Sequence, residues 1–155
     1  MRTGIILAFF MLLCSCCMPV AAQTDSRYSY ITFDSVDISL EETKATVTVD
    51  YSIDSGVQIL VMFLGNQDLK NKIERAMNFK GATVKTADQN RAVLEVESAS
   101  YDYGDKSYWF PLHTFLVTIP KVTIQTPQTT REMFMVQEMN EGIGYFAKIQ
   151  PQQEK

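Results

Sequence analysis

Apolar and polar side chains alternate strictly along residues 44–54. The apolar set comprises Ala45, Val47, Val49, Tyr51 and Ile53. A period of two predicts a β-strand with one buried face and one solvated face. Residues 28–40 alternate in the same way, but their phase changes at Asp34 and Ser35. This change predicts a β-bulge, because one extra residue exchanges the two faces, and the short polar link between the segments predicts a long hairpin.

Two different apolar patterns follow the hairpin. Residues 57–64 are almost entirely apolar and end at Gly65, which favours a strand buried on both faces, although a short buried helix gives the same pattern. Residues 67–80 carry an apolar stripe at helical spacing, so we predict a helix that Asn66 caps and Gly81 ends. The stripe consists of Leu69, Ile73, Ala76 and Met77.

The rest of the chain predicts short strands separated by turns. The candidate strands are residues 82–85, 91–97, 107–110, 114–119, 122–126, 132–136 and 143–149. Residues 88–90 form a polar turn between the first two of them. Pro120 marks an edge or a kink, because proline cannot donate a hydrogen bond to a sheet. We expect the last two runs to form a hairpin that turns near Gly142.

The order of these elements, strands first, defines the predicted fold class. We expect a mainly β (α+β) fold: an antiparallel β-sandwich or curled sheet of about eight strands, with one packed helix at residues 67–80. No strand–helix–strand alternation extends along the chain, so a doubly wound parallel sheet is not expected. We expect residues 23–150 to form a single β-rich domain and residues 151–155 to form a flexible tail.

The first 22 residues have the pattern of an export signal. A positive charge at Arg2 precedes the apolar run 4–13, and Val20 and Ala22 supply the small residues of a cleavage site. We therefore predict that residues 1–22 are a signal peptide, that cleavage follows Ala22, and that the mature protein is secreted.

Two alternatives retain the export but tether the protein to the outer face of the cell membrane. Residues 4–22 contain no charged side chain, and a spanning helix needs about 20 residues, so this segment is long enough for an uncleaved N-terminal anchor. Residues 13–16 resemble a bacterial lipobox, in which Cys16 carries the lipid and becomes the mature N-terminus. Mass spectrometry of the mature N-terminus distinguishes cleavage, anchoring and lipidation.

Composition and charge exclude several classes of function. The formal net charge is −4, or −5 once Arg2 is removed with the signal, so we expect no nucleic-acid binding. All three cysteines lie within residues 14–17, which leaves the mature chain without a cysteine nucleophile or a disulfide. One histidine without cysteine cannot build the usual zinc site, and no Gly-rich phosphate loop is present. We expect no cofactor and no enzymatic activity.

The remaining candidates for chemistry have structural interpretations that we favour. His113 is the single histidine and lies between apolar neighbours, so we interpret it as a hydrogen-bonded structural residue. Asp102 and Asp105 flank Gly104 in a pattern typical of a turn. The same two carboxylates leave two alternatives open, a Ca²⁺ site and a carboxylate-dependent hydrolase.

The segment 101–110 is unusually aromatic and includes the single tryptophan of the chain. Our candidate ligand-binding residues are Tyr101, Tyr103, Tyr108 and Trp109, because flat rings bury much area at a low cost in entropy. In the alternative interpretation, every second ring packs in the core. Strand periodicity then turns either Tyr108 or Trp109 outward, and we predict that one of the two is substantially exposed.

The predicted helix at 67–80 is basic within an acidic protein. Its cations outnumber its two carboxylates, and they are Lys70, Lys72, Arg75 and Lys80. We interpret them as a solvated face rather than as a docking surface for an anionic membrane or an acidic partner.

These observations together favour an exported, non-catalytic extracytoplasmic domain, an envelope-associated module for protein–protein interaction or structure. The alternative is a ligand-binding module, for a saccharide, that uses the aromatic segment 101–110. The expected partner is a cell-surface protein or a saccharide. Membrane contact is expected only through the N-terminal segment, if that segment is uncleaved or lipidated.

Overall fold

The computed structural model describes residues 28–148, which form nine strands and two helices. The predictions for residues 1–22, including Cys16, and for residues 151–155 lie outside this range. The mainly β (α+β) class is confirmed. In chain order, the elements are β1 (Ile31–Glu41), β2 (Lys44–Ile53), α1 (Ser55–Leu64), α2 (Gln67–Met77), β3 (Ala82–Ala87), β4 (Arg91–Val96), β5 (Tyr101–Asp102), β6 (Ser107–Phe110), β7 (Thr114–Gln125), β8 (Thr130–Glu138) and β9 (Ile143–Phe146).

The predicted hairpin of the first two strands is confirmed, together with its bulge. β1 and β2 pair antiparallel, and the register passes from Phe33↔Tyr51 to Ser35↔Asp50, which leaves Asp34 as the extra residue. The buried positions of β1 change phase at this point, and they are Ile31, Phe33, Val36, Ile38 and Leu40. The local alternation of the sequence therefore predicts both strands of this hairpin and the position of its bulge.

Six strands form the larger sheet, in the order β3-β4-β2-β1-β7-β8. Its pairs are antiparallel except β1 and β7, which run parallel. The pairing of β7 with β1 begins at Lys121, and its irregular register with β8 ends at Ile119, so Pro120 lies where the pairing changes. One face of this sheet is the apolar core, and its fully buried residues include Val36, Ile38, Val47, Val49, Leu94, Val122 and Ile124.

Two covers close the apolar face of the larger sheet. The first is α2, which contacts β7, β3 and β4 through its predicted stripe, Leu69, Ile73, Ala76 and Met77. The second is a three-stranded sheet in the order β5-β6-β9, and its inward residues are Tyr108, Phe110, Ile143 and Tyr145. Both covers belong to one continuous core, in which each large apolar side chain contributes roughly 1.5–3 kcal/mol through burial.

The helix α2 ends earlier than the predicted residue 80. Asn78 takes the left-handed conformation, with a φ of 57°, and its N–H donates to the Glu74 carbonyl at 3.0 Å. An asparagine in this conformation ends a helix in the same way as a glycine, so the chain turns before it reaches Gly81.

Residues 57–64 form part of a helix and not the predicted buried strand. α1 begins after Asp54, whose carboxylate accepts a hydrogen bond from the Gly56 N–H at 2.9 Å. It ends at Gly65, which has a φ of 89°. A short apolar run has no period that separates the two elements, and here the cap at Asp54 selects the helix.

The hairpin predicted for residues 132–136 and 143–149 is wrong. β8 pairs with β7 across a tight turn, in which the Thr126 N–H donates to the Thr129 carbonyl at 2.8 Å. β9 pairs with β6 in the smaller sheet instead. The two segments are neighbours in the sequence but belong to different sheets, and that assignment depends on long-range contacts.

Candidate functional site

The smaller sheet turns a row of aromatic rings toward solvent. Its register aligns Tyr101 with Trp109 and Trp109 with Gly144, and it aligns Ser107 with Phe146. Residues that pair across a sheet share a face, so these side chains point to the same side. The exposed rings on this side are Tyr101 (61% exposed), Trp109 (41%) and Phe146 (61%), and Tyr103 (73%) is exposed in the turn after β5. These four rings are called the aromatic face below.

Tyr108 lies on the opposite side and does not join the aromatic face, although the sequence grouped it with Tyr101, Tyr103 and Trp109. It is buried, and its ring stacks on Tyr145 with 5.8 Å between ring centres. Alternation along β6 is the reason, because Tyr108 and the buried Phe110 share the inner side. The prediction that either Tyr108 or Trp109 is exposed is therefore confirmed for Trp109.

Tyr145 anchors the inner side of the smaller sheet to the β1–β2 turn. Its hydroxyl donates to the Glu42 carbonyl at 2.6 Å and lies 2.6 Å from the Ser100 hydroxyl. Burial raises the pKa of this phenol, so it stays a neutral hydrogen-bonding group. The inner side of the sheet that carries the aromatic face is therefore packed by the Tyr108–Tyr145 ring pair and by the hydrogen bonds of the Tyr145 hydroxyl.

The indole of Trp109 packs against the backbone of Gly142 and Gly144. A Cβ atom at Gly142 would lie 2.6 Å from Cε2 of Trp109 and 2.7 Å from the carbonyl oxygen of Phe110. At Gly144 the nearest indole carbon would be 3.4 Å away, which is ordinary contact. Glycine at position 142 is therefore required for this approach, and Trp109 remains 41% exposed.

A shallow depression of about 580 Å³ opens beside the indole. Its lining combines apolar side chains with an amide and a carboxylate, and it consists of Trp109, Pro111, Leu112, Asn140, Glu141 and Gly142. The Glu141 carboxylate lies 3.5 Å from the Arg131 guanidinium. The depression offers a ring surface and hydrogen-bonding groups within one site.

Phe146 was missed by the sequence analysis, although the alternation of residues 143–146 contains the signal. Its backbone is fixed by the side chain of Gln128, which takes the place of a neighbouring strand. The Phe146 N–H donates to Oε1 of Gln128 at 3.0 Å, and Nε2 of Gln128 donates to the Phe146 carbonyl at 2.8 Å. These two bonds satisfy the backbone of Phe146 at the outer edge of β9.

The Asp102 carboxylate beside the aromatic face stabilises a turn. Oδ1 of Asp102 accepts a hydrogen bond from the Gly104 N–H at 2.8 Å, and the Ser107 hydroxyl donates to the Gly104 carbonyl at 2.8 Å. Gly104, Asp105 and Lys106 all have positive φ values. The turn interpretation of Asp102 is confirmed. Within residues 28–148, no group of three or more histidine, cysteine or acidic side chains is arranged to hold a metal ion.

His113 is a structural residue, as predicted. Its Nε2–H donates to the Met77 carbonyl at 2.7 Å, at the end of α2 where intrahelical donors are missing. The imidazole stacks on Phe79 at 3.8 Å between ring centres and meets the edge of Phe115. Burial lowers the pKa of His113, which keeps the ring neutral.

Comparison with protein-family models, with curated proteins and with solved structures finds no match for this chain.

Proposed function

We propose that this protein is an exported, non-catalytic extracytoplasmic module that works through surface contacts with a cell-surface protein, and that the aromatic face is its contact surface. The observation that carries the proposal is a set of four exposed rings, three on the smaller sheet and Tyr103 in the turn that follows β5. Rings of this kind bury large areas with few rotatable bonds, which makes tyrosine and tryptophan frequent anchors of interfaces.

The close packing of Trp109 and the hydrogen-bonded backbone of Phe146 support a role in binding. The indole of Trp109 is held against Gly142, and the backbone of Phe146 is held by Gln128. Side chains that are already fixed in the free protein lose little freedom when a partner covers them. A contact surface of this kind is prepared for its partner before binding.

The groups that acid–base catalysis would need are occupied elsewhere, which supports the non-catalytic part of the proposal. His113 is enclosed by Phe79 and Phe115 and bonded to the end of α2. The Asp102 carboxylate is bonded to the backbone of its own turn. Both of these groups therefore already have partners within the fold.

A saccharide is the second candidate ligand, and the depression beside Trp109 favours it. Sugars bind by stacking a ring face on an indole while polar side chains bond their hydroxyls. Asn140 and Glu141 supply such groups beside the apolar lining. This candidate uses the same aromatic face, so the two functions share their essential residue, Trp109.

The test measures binding of the purified full-length chain to native, detergent-washed cell envelopes. The double variant Tyr101→Ser/Phe146→Ser removes two exposed rings, and we expect binding to weaken by about tenfold or more. Phe134→Ser is the matched control, because Phe134 is similarly exposed but lies on the larger sheet. Equal binding by the double variant and the wild type would contradict the proposal.

The class of partner is tested on the same envelopes. Treatment with protease removes binding if the partner is a protein and leaves it intact if the partner is a saccharide. The proposed export is tested separately, by fractionating cells and determining the mature N-terminus. Recovery of the intact chain in the cytosol would contradict it.

A further inference from the structure

The helix α1 combines an uncharged sequence with an exposed surface. None of its ten residues is ionisable. Val57 and Val61 pack against the core, while Ile59 is 58% exposed and Phe63 is 85% exposed. Exposed apolar side chains placed one helical turn apart form a continuous stripe. Such a stripe in water is an interaction surface rather than part of the core.

The position of α1 relates this surface to the N-terminal end of the chain. Tyr28 begins the described range, and the Asp54 N–H donates to the Tyr30 carbonyl at 3.0 Å. Asp54 is also the cap of α1, so this helix begins where the described fold meets the preceding 27 residues. That stretch contains the apolar run 4–13 for which we predict contact with a membrane during export.

One cation lies near the start of α1. Lys72 lies 4.2 Å above the ring of Tyr30, and it also pairs with Asp68 at 3.6 Å. Among the residues described, Lys70 and Arg75 of α2 join no ion pair. Unpaired cations on α2, the helix that directly follows α1 in the chain, are complementary to anionic lipid headgroups.

We propose that α1 lies flat in the surface of a bilayer that contains anionic lipids, with Ile59 and Phe63 in the apolar region and the cations of α2 at the headgroups. A helix of ten residues is about 15 Å long, half of what a spanning helix needs. No helix within residues 28–148 is long and apolar enough to cross a membrane. The inference adds a second membrane contact to the one expected from the N-terminal segment, and it does not depend on the aromatic face.

A bilayer suits this surface better than a second protein does. A stable protein interface needs roughly 800 Å² from each partner, whereas the described apolar stripe of α1 consists of two exposed side chains. A bilayer requires no complementary shape, and it satisfies an apolar stripe and a basic border together. Self-association through α1 and capture of a protein partner are therefore outcomes that the test must be able to detect.

The test compares an indole at two sites of the full-length chain bound to vesicles of phosphatidylcholine and phosphatidylglycerol with brominated acyl chains. The wild type reports from Trp109, and the double variant Phe63→Trp/Trp109→Phe reports from α1. We expect the fluorescence of the double variant to be quenched about twofold more than that of the wild type, because interfacial helices insert about 5–10 Å. Equal quenching of the two chains, or no binding of either chain to the vesicles, would overturn the proposal.

A second variant separates insertion of α1 from tethering by the N-terminal segment. Ile59→Ser/Phe63→Ser removes the apolar stripe at exposed positions, so the fold is retained, which circular dichroism verifies. We expect this variant to dissociate from the same vesicles faster than the wild type, and Phe134→Ser to behave as the wild type does. If light scattering instead finds a wild-type dimer that becomes monomeric in the variant, α1 is a protein interface and the membrane proposal is wrong.

Discussion

The two sheets of this protein use their solvent-facing sides in opposite ways. The outer face of the larger sheet is mostly polar, and ion pairs such as Asp50–Arg91 and Lys121–Glu132 cross between its strands. Its large exposed apolar side chains are confined to β7 and β8, and they are Leu116, Phe134 and Met135. The outer face of the smaller sheet carries three aromatic rings, and a fourth, Tyr103, lies in the adjoining turn. Both faces follow the same alternation, so folding alone does not require rings at the surface. This difference between the two faces is the basis for the contact surface that we propose.

The largest effect is expected when the centre of the aromatic face is removed. Trp109→Ala should weaken binding to detergent-washed envelopes by about 2 kcal/mol or more, roughly 30-fold, because central aromatic anchors dominate interfaces. The measurement is an envelope-binding isotherm. Phe134→Ala, on the outer face of the larger sheet, is the control and should bind as the wild type does. A similar loss in both variants would remove the difference between the two faces.

The second prediction concerns the glycine that seats the indole. Gly142→Ala should lower the free energy of unfolding by about 1–3 kcal/mol, because its Cβ would overlap the Trp109 ring and the Phe110 carbonyl. Gly144→Ala should change it by less than about 0.5 kcal/mol, since the nearest indole carbon is 3.4 Å away. Denaturant unfolding measures both. If the two variants are equally stable, the indole is not held as described.

The third prediction concerns how the free energy of unfolding depends on pH through His113. The pKa of His113 is lowered from its ordinary 6.5 by burial, so the folded state binds fewer protons than the unfolded chain. The contribution of neutral His113 to the free energy of unfolding is complete above pH 6.5. It declines as the pH falls from there toward the lowered pKa of the folded state.

A matched variant isolates this dependence on pH. His113→Gln keeps a donor for the Met77 carbonyl but does not titrate, so its unfolding free energy should decline less between pH 6.5 and about 5. Urea unfolding at several pH values measures the slope. Identical slopes for the variant and the wild type would exclude His113 as the source.

The smallest effect is expected on the outer face of the larger sheet. Arg91→Ala breaks the exposed ion pair with Asp50, whose closest atoms are 2.6 Å apart. Exposed pairs contribute little because water screens them, so the unfolding midpoint should barely change and envelope binding should not change. A marked loss of binding would assign the contact surface to the larger sheet.

Local features of the fold were predictable from the sequence, and long-range ones were not. The bulge at Asp34 follows from a change of phase within one strand. The partner of β9 depends on which sheet it joins, and nothing within residues 143–149 carries that information. The helix α1 was mistaken for a strand because its apolar run has no distinguishing period.

The candidate site likewise has features that the sequence predicts and features that depend on long-range strand pairing. Alternation required that Tyr108 or Trp109 face outward, but only the shared inner side with Phe110 and Tyr145 decides that Trp109 does. Phe146 joins Trp109 because β9 pairs with β6, across a long separation in sequence. The composition of residues 101–110 therefore indicated an aromatic surface, and the register of three strands determined its members.

The accessibility of Trp109 to acrylamide, measured with and without saturating envelopes, tests the central claim most directly, because this chain has a single tryptophan. We predict that bound envelopes shield the indole, with reduced quenching and an emission maximum moved to shorter wavelength. Unchanged quenching of Trp109 in a chain that is demonstrably bound would contradict the assignment of the aromatic face as the working surface.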